Sequence, residues 1–293
     1  MMNRLNHFLA PPTLPLLVGA LMLLFPSGLM GQGKFDQSKE LGVMVGTSYY
    51  LGDLNPTGHL GGRKHAAVGG FLRTNLSRRI SLRAHVMHGT FEAWDADSDV
   101  AWQRNRNLHF RNSLTEVGGI LEINYIDYQI GTPSTKVCAY LLTGLSVYSH
   151  MPEAELDGLW FELAPLGTEG QGTTWGEAYG VNGYALTGLA LPFGFGFKVN
   201  LGPFAGFNLE WAVRKTWNDY LDDVSGIYAD PLVLNEEKGE LAVALGDRSL
   251  SRPGSLADNT GLMRGDPGRD DAYGFVTASV TFRIGKKPTT CWN

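Results

Sequence analysis

The sequence predicts an all-β chain, an eight-stranded antiparallel transmembrane β-barrel with long extracellular loops and short periplasmic turns. Three observations predict it. Eight segments alternate in character with a period of two, as strands do when successive side chains point to opposite faces. The connections between them hold about 14, 2, 22, 10, 34, 4 and 55 residues, alternately long and short, as when loops and turns lie on opposite sides of a membrane. After the first thirty or so residues no stretch of eighteen apolar residues occurs, so helical spans are not expected.

The segments run from Glu40 to Leu51, Ala66 to Leu76, Arg79 to Thr90, Ser113 to Tyr125, Lys136 to Ser149, Tyr184 to Val199, Phe204 to Thr216 and Ala272 to Ile284. In the first, Leu41, Val43, Val45, Thr47, Tyr49 and Leu51 oppose Gly42, Met44, Gly46, Ser48 and Tyr50. The second follows the first long connection and carries Arg73. In the third, Ile80, Leu82, Ala84 and Val86 oppose Ser81, Arg83, His85 and Met87. The fourth brings Glu116 and Glu122, and Cys138 opens the fifth. The sixth sets Leu191, Phe193, Phe195, Phe197 and Val199 against Pro192, Gly194, Gly196 and Lys198. In the seventh, Ala205, Phe207, Leu209, Trp211 and Val213 oppose Gly206, Asn208, Glu210, Ala212 and Arg214, and the eighth carries Arg283.

The second face separates a barrel from a sandwich. A sandwich would solvate that face with Lys, Glu, Ser and Thr. Here it holds glycine, small residues and isolated charges of both signs: Arg73, Arg83, Glu116, Glu122, Lys198, Glu210, Arg214 and Arg283. Eight strands leave room only for packed side chains, so these charges are expected to pair across a filled lumen that does not conduct. Ser77–Arg78 and Asn200 to Pro203 are short hairpin turns with turn-forming residues. Pro192 cannot donate to a strand ladder, and a local bulge is expected there. Tyr49, Tyr50, Phe91, Trp94, Tyr125, Tyr128, Trp217, Tyr220 and Tyr273 gather near strand ends, as an aromatic girdle at the lipid–water boundary would.

Composition agrees. The 293 residues carry a formal charge of −5, with 18% charged and 43% hydrophobic residues and 38 glycines. No basic excess points to nucleic acid. A mean hydropathy of −0.10 is low for a helical membrane protein and ordinary for a barrel, whose lipid-facing residues are every second one. Residues 1–32 read as a secretory signal peptide: Arg4, an apolar run from Pro15 to Pro26, then small residues before a cleavage near Gly31 or Gln32. A short segment over 33–39 precedes the barrel of 40–284, and 285–293 form a periplasmic tail. With an even strand number both termini face the periplasm. Cys138 and Cys291 are the two cysteines; unpaired thiols are the simpler reading, and a disulfide between them is the other.

The chain shows no zinc-protease, Walker, nucleophile-elbow or dinucleotide motif. No catalytic residue and no cofactor is expected. His85 and His88 differ in parity, so they cannot share a metal on one strand. Asp219, Asp222 and Asp223 could offer oxygen ligands to calcium, although a solvated acidic turn with a helix-capping aspartate explains them as well. Pro165 to Gly172 is a compact glycine-rich patch without evident chemistry.

Several stretches carry a resemblance: Glu40 to Gly42 with Ser48 to Pro56, Arg106 to Arg111, Leu166 to Gly172, Asp219 to Gly226, and Asp247 to Ser249. Together, over about residues 38 to 284, they resemble the PorG-type outer-membrane β-barrels of the type IX secretion system of Bacteroidetes. The resemblance implies a non-enzymatic component of a secretion machine, embedded in outer-membrane lipid. It also implies association with the periplasmic ring of PorK and PorN, through the short turns and the tail. The tail departs from the barrel pattern, because Phe282 is not the last residue. Other roles fit the same architecture: an adhesin, a small-solute pore, or an enzyme acting on lipid or peptide through His88 or His150 and a nearby serine.

Overall fold

The computed structural model describes residues 37–55, 58, 63–132, 135–250 and 259–285. The expected signal peptide, Cys291 and all of the tail but Gly285 lie outside the described residues. Among the described residues nine strands form: β1 (Lys39–Leu51), β2 (His65–Asn75), β3 (Ile80–Trp94), β4 (His109–Asn124), β5 (Val137–Leu156), β6 (Leu159–Glu162), β7 (Thr187–Asn200), β8 (Ala205–Thr216) and β9 (Ala272–Ile284). Eight of them close a barrel of antiparallel neighbours in the order β1-β2-β3-β4-β5-β7-β8-β9. The seam pairs β1 with β9 from Lys39↔Ile284 to Leu51↔Ala272. Closure leaves no unpaired sheet edge in the wall, which a membrane requires because lipid cannot satisfy backbone groups.

The period of two sorts side chains outward and inward as predicted. On β5, Val137, Leu141, Leu145 and Val147 are exposed, whereas Cys138, Tyr140, Leu142 and Tyr148 are buried. The exposed apolar belt continues through Leu41, Val43 and Val45 of β1, Phe193, Phe195 and Phe197 of β7, and Val280 and Phe282 of β9. Its height can be gauged on β5. About ten residue steps from Val137 to Val147 span roughly 33 Å along the strand, and a tilt of about 40° leaves roughly 25 Å, the height of an outer-membrane apolar band. The belt stops sharply toward the long connections. His88 pairs with Thr115, Thr115 with Ser149, and Ser149 with Thr187, and all four are exposed. This registered polar row marks the membrane boundary.

Three strands run well past that row, further than the sequence alone indicated. β3 extends to Trp94 where the pattern ended at Thr90, β4 begins at His109 before Ser113, and β5 reaches Leu156 beyond Ser149. The extensions carry charge on the outer face, with Trp94 and Met151 beside it. Glu92 pairs with Arg111, and Arg111 with Glu153. Arg111 Nη2 lies 2.7 Å from Glu153 and its guanidinium 3.9 Å above Trp160. β6 folds back on β5 through Leu156↔Leu159 to Glu153↔Glu162.

Two expectations need correction. Pro192 makes no bulge: the β5–β7 ladder lapses between Thr143↔Phe193 and Ser146↔Ala190, then resumes in the same register. The missing donor is accommodated by a gap, not by an inserted residue. The aromatic girdle is also smaller than expected. Tyr50, Phe91, Tyr128 and Tyr273 are buried, and three of them stack inside the long-connection end, with ring centroids 5.9 Å (Tyr50–Phe91) and 6.1 Å (Phe91–Tyr273) apart. Tyr49 is also buried, covering Gly274 and accepting a 2.7 Å hydrogen bond from Trp211 Nε1. Trp94 and Tyr220 are half-buried, and Tyr125 and Trp217 are exposed.

Candidate functional site

Inward parity places the charged residues of seven strands in one lumen. Glu122 of β4 is the hub: Arg73 lies 2.8 Å from it, Arg83 3.2 Å and Lys198 2.6 Å. Arg73 also meets Glu40 at 2.9 Å, and Arg83 grips Glu210 with two bonds of 2.7 and 3.0 Å. Tyr140 donates to Glu210 at 2.7 Å. Nearer the long connections, Glu116 gathers His85 at 2.5 Å, Arg214 at 3.1 Å and the Tyr273 hydroxyl at 2.6 Å. Arg283 is buried and donates to the Ile130 carbonyl at 3.0 Å. Burying a charge is costly unless it is paired and hydrogen-bonded; each carboxylate of this network meets a cation, while Arg83 Nε and His85 Nδ1 are buried without a hydrogen bond among the described residues. The eight lumen charges expected from sequence all lie inside the barrel. Glu40, His85, Tyr140 and Tyr273 join them. Glu40 shares parity with Gly42 and Met44, which could have revealed it.

Above this network the long connections fold into a cap, and the stretches named for the family resemblance meet there. Tyr50 lies one residue before the end of β1, and its hydroxyl lies 2.5 Å from Asp222 Oδ2 and 2.9 Å from Asp271 Oδ1. The other oxygen of Asp222 accepts from the Val224 N–H at 2.9 Å, and that of Asp271 from the Leu221 N–H at 2.8 Å. Gly52 is dictated by this meeting. A Cβ there would sit 1.8 Å from Asp271 Oδ1 and 2.0 Å from the Tyr50 hydroxyl. Arg106 binds Asp95 through two bonds of 2.7 and 2.8 Å and donates to the Arg264 and Asp53 carbonyls at 2.6 and 3.1 Å. Arg264 reaches Glu169 at 2.9 Å, and Glu169 in turn accepts from the Ser225 and Gly226 amides at 2.9 and 3.0 Å. Asp223, at φ 65°, accepts from Thr168 and, at 2.5 Å, from Tyr184.

Asp222 and Asp223 are therefore not part of a solvated turn, while Asp219 is half-buried. Asp222 and Asp223 are 1% and 0% exposed; Asp222 is held by a hydroxyl and a backbone N–H and Asp223 by two hydroxyls beside Arg264, and neither caps a helix. Among the described residues no group of three or more acidic, histidine or cysteine side chains is arranged to hold a metal ion. Burial pushes Asp222 and Asp271 well above the usual carboxylate range, reinforced by Asp53 for the first and by Asp222 and Asp219 for the second. Burial likewise pushes Asp219 up to about 7 and Asp223 up to about 6, the latter against the pull of Arg264.

The histidines offer little chemistry. His88 faces outward with Thr115 at 2.9 Å. His150 is buried between Asn112 and Asn218, at 3.0 and 3.3 Å. Among the described residues no serine hydroxyl bonds either one. Cys138 is a buried free thiol.

Residues 20–156 match a family model described as a domain of unknown function, DUF6089. No curated protein matches the sequence. Among solved structures the chain is similar to Neisserial surface protein A, with a TM-score of 0.40 and 9% identity. It is also similar to Ail, the attachment invasion locus protein of Yersinia pestis, solved with a heparin analogue (0.39, 8%), and to the N-terminal β-barrel domain of Pseudomonas aeruginosa OprF (0.33, 10%). Each comparison covers 85% of this chain and 100% of the other. The architecture itself rests on this chain's own pairing and belt. It is a closed eight-stranded membrane barrel.

Proposed function

We propose that the protein is a non-enzymatic integral outer-membrane component of the type IX secretion machinery. Its long connections would be extracellular and its short turns would face the periplasmic PorK/PorN ring. The observation that carries this reading is the convergence of the resembling stretches. Tyr50 to Asn55, Arg106, Glu169, and Asp222 to Gly226 with Asp247 come from four different connections, and all but Asp247 bond to one another or to Arg264 in the cap. Shared motifs that build one buried assembly support a common architecture more strongly than scattered matches would. A lumen packed with paired side chains favours an anchoring or gating part over a solute channel.

The test is co-isolation from native membranes. Affinity-tagged protein should recover the ring proteins, and deletion of its gene should stop export while leaving membrane lipids unchanged. Recovery of no ring component, with export intact in the deletion strain, would overturn the reading. The same membranes assayed for lipid or peptide turnover, with His150→Ala as control, would reveal the enzymatic alternative.

A further inference from the structure

The bridge at Tyr50 raises a question of protons. A phenol hydroxyl carries one hydrogen and can donate it to one carboxylate. Yet Tyr50 lies within hydrogen-bond distance of both Asp222 and Asp271, and the remaining oxygen of each faces an N–H donor. Were both carboxyls ionised, one contact would set lone pair against lone pair. The second contact becomes a hydrogen bond only if one carboxyl carries a proton and donates it to the tyrosine oxygen. Neither carboxyl has an ion pair among the described residues.

The surrounding charges do not remove that need. Arg106, on the β3–β4 connection, is bound to Asp95, and Arg264 is bound to Glu169 and Asp223. Asp53 on the β1–β2 connection and Asp219 and Asp270 on the β8–β9 connection add negative charge nearby, and Tyr148 and His150 are titratable groups of the floor. His150 meets Asn112 and Asn218, of which Asn112 donates to the Leu221 carbonyl at 2.6 Å.

We propose that Tyr50, Asp222 and Asp271 form a proton latch that joins the end of β1 to both ends of the longest connection and holds the cap shut. The closed cap retains one proton that the open cap, with solvated carboxylates, releases. Both carboxyls stand above their ordinary range when closed, so the sign follows: closure is favoured at low pH and weakens as pH rises toward the closed-state value. Release of one proton on opening makes the opening constant grow about tenfold per pH unit across that window. This inference is independent of the secretion role.

The experiment is amide hydrogen exchange on the full-length protein in phosphatidylcholine nanodiscs from pH 7.5 to 9, above the values of Asp219 and Asp223, with rates corrected for intrinsic exchange. Residues 218–226, and the Leu221 and Val224 amides above all, should open about tenfold more per pH unit until the proton is lost, while β-strand amides stay unchanged. Asp222→Asn and Asp271→Asn, whose amides donate without titrating, should flatten the slope. A pH-independent wild type, or an unchanged slope in Asp271→Asn, would overturn the latch. So would restoration of protection at pH 9 by millimolar calcium, because the carboxyls would then be holding a cation. If a variant does not fold, the wild-type slope decides alone.

Discussion

At the residue scale the lumen concentrates its electrostatics on Glu122. Its carboxylate serves Arg73, Arg83 and Lys198, all nearly fully buried. Glu122→Ala leaves Lys198 without a carboxylate and takes one of two from Arg73 and Arg83, and removing one partner of a buried pair costs about 3–5 kcal/mol. Urea unfolding in lipid vesicles, followed by tryptophan fluorescence, should register that loss. Arg79→Ala, which breaks the exposed 2.9 Å pair with Asp127, should stay within about 1 kcal/mol. Equal effects would mean that the lumen charges are solvated. Strand parity made Arg73, Arg83, Glu116, Glu122, Lys198, Glu210, Arg214 and Arg283 readable as inward residues. It could not pair them, because partners are set by stagger around the barrel. Nor could parity reach Asp222 and Asp271, which lie in a connection without a period and 49 positions apart by number (271 − 222).

At the element scale the strands were legible where lipid faces them and illegible beyond. Within the belt, apolar outer residues impose the period of two. Past the His88–Thr115–Ser149–Thr187 row the outer face turns to Glu92, Arg111 and Glu153, and the apolar signal fades although pairing continues. The ends of β3 and β5, the start of β4 and the whole of β6 were missed for that reason. The β1–β2 connection offers a sharp test of cap assembly. Gly52→Ala places a methyl against Asp271 and the Tyr50 hydroxyl. The expected result is faster proteolysis of the 218–226 segment with unchanged barrel mobility on unboiled electrophoresis. Unchanged proteolysis would show that the cap does not depend on this contact.

For the whole molecule the claim is a closed wall with lipid outside and paired charges within. A lipid-facing charge should then cost energy according to depth. Leu141→Arg, near the middle of the belt, should lose about 2–4 kcal/mol, and Thr47→Arg, near its rim, about 0–1. Reversible unfolding into vesicles measures both, and equal costs would deny the belt. The most direct measurement is a spin-label scan of β5 from Val137 to Ser149 in a Cys138→Ser background, read by oxygen and nickel-chelate accessibility. Val137, Ala139, Leu141, Thr143, Leu145 and Val147 should meet oxygen but not nickel, the intervening positions neither, and nickel should first appear at Ser149. Nickel access at the odd positions throughout would place this wall in water and contradict the account.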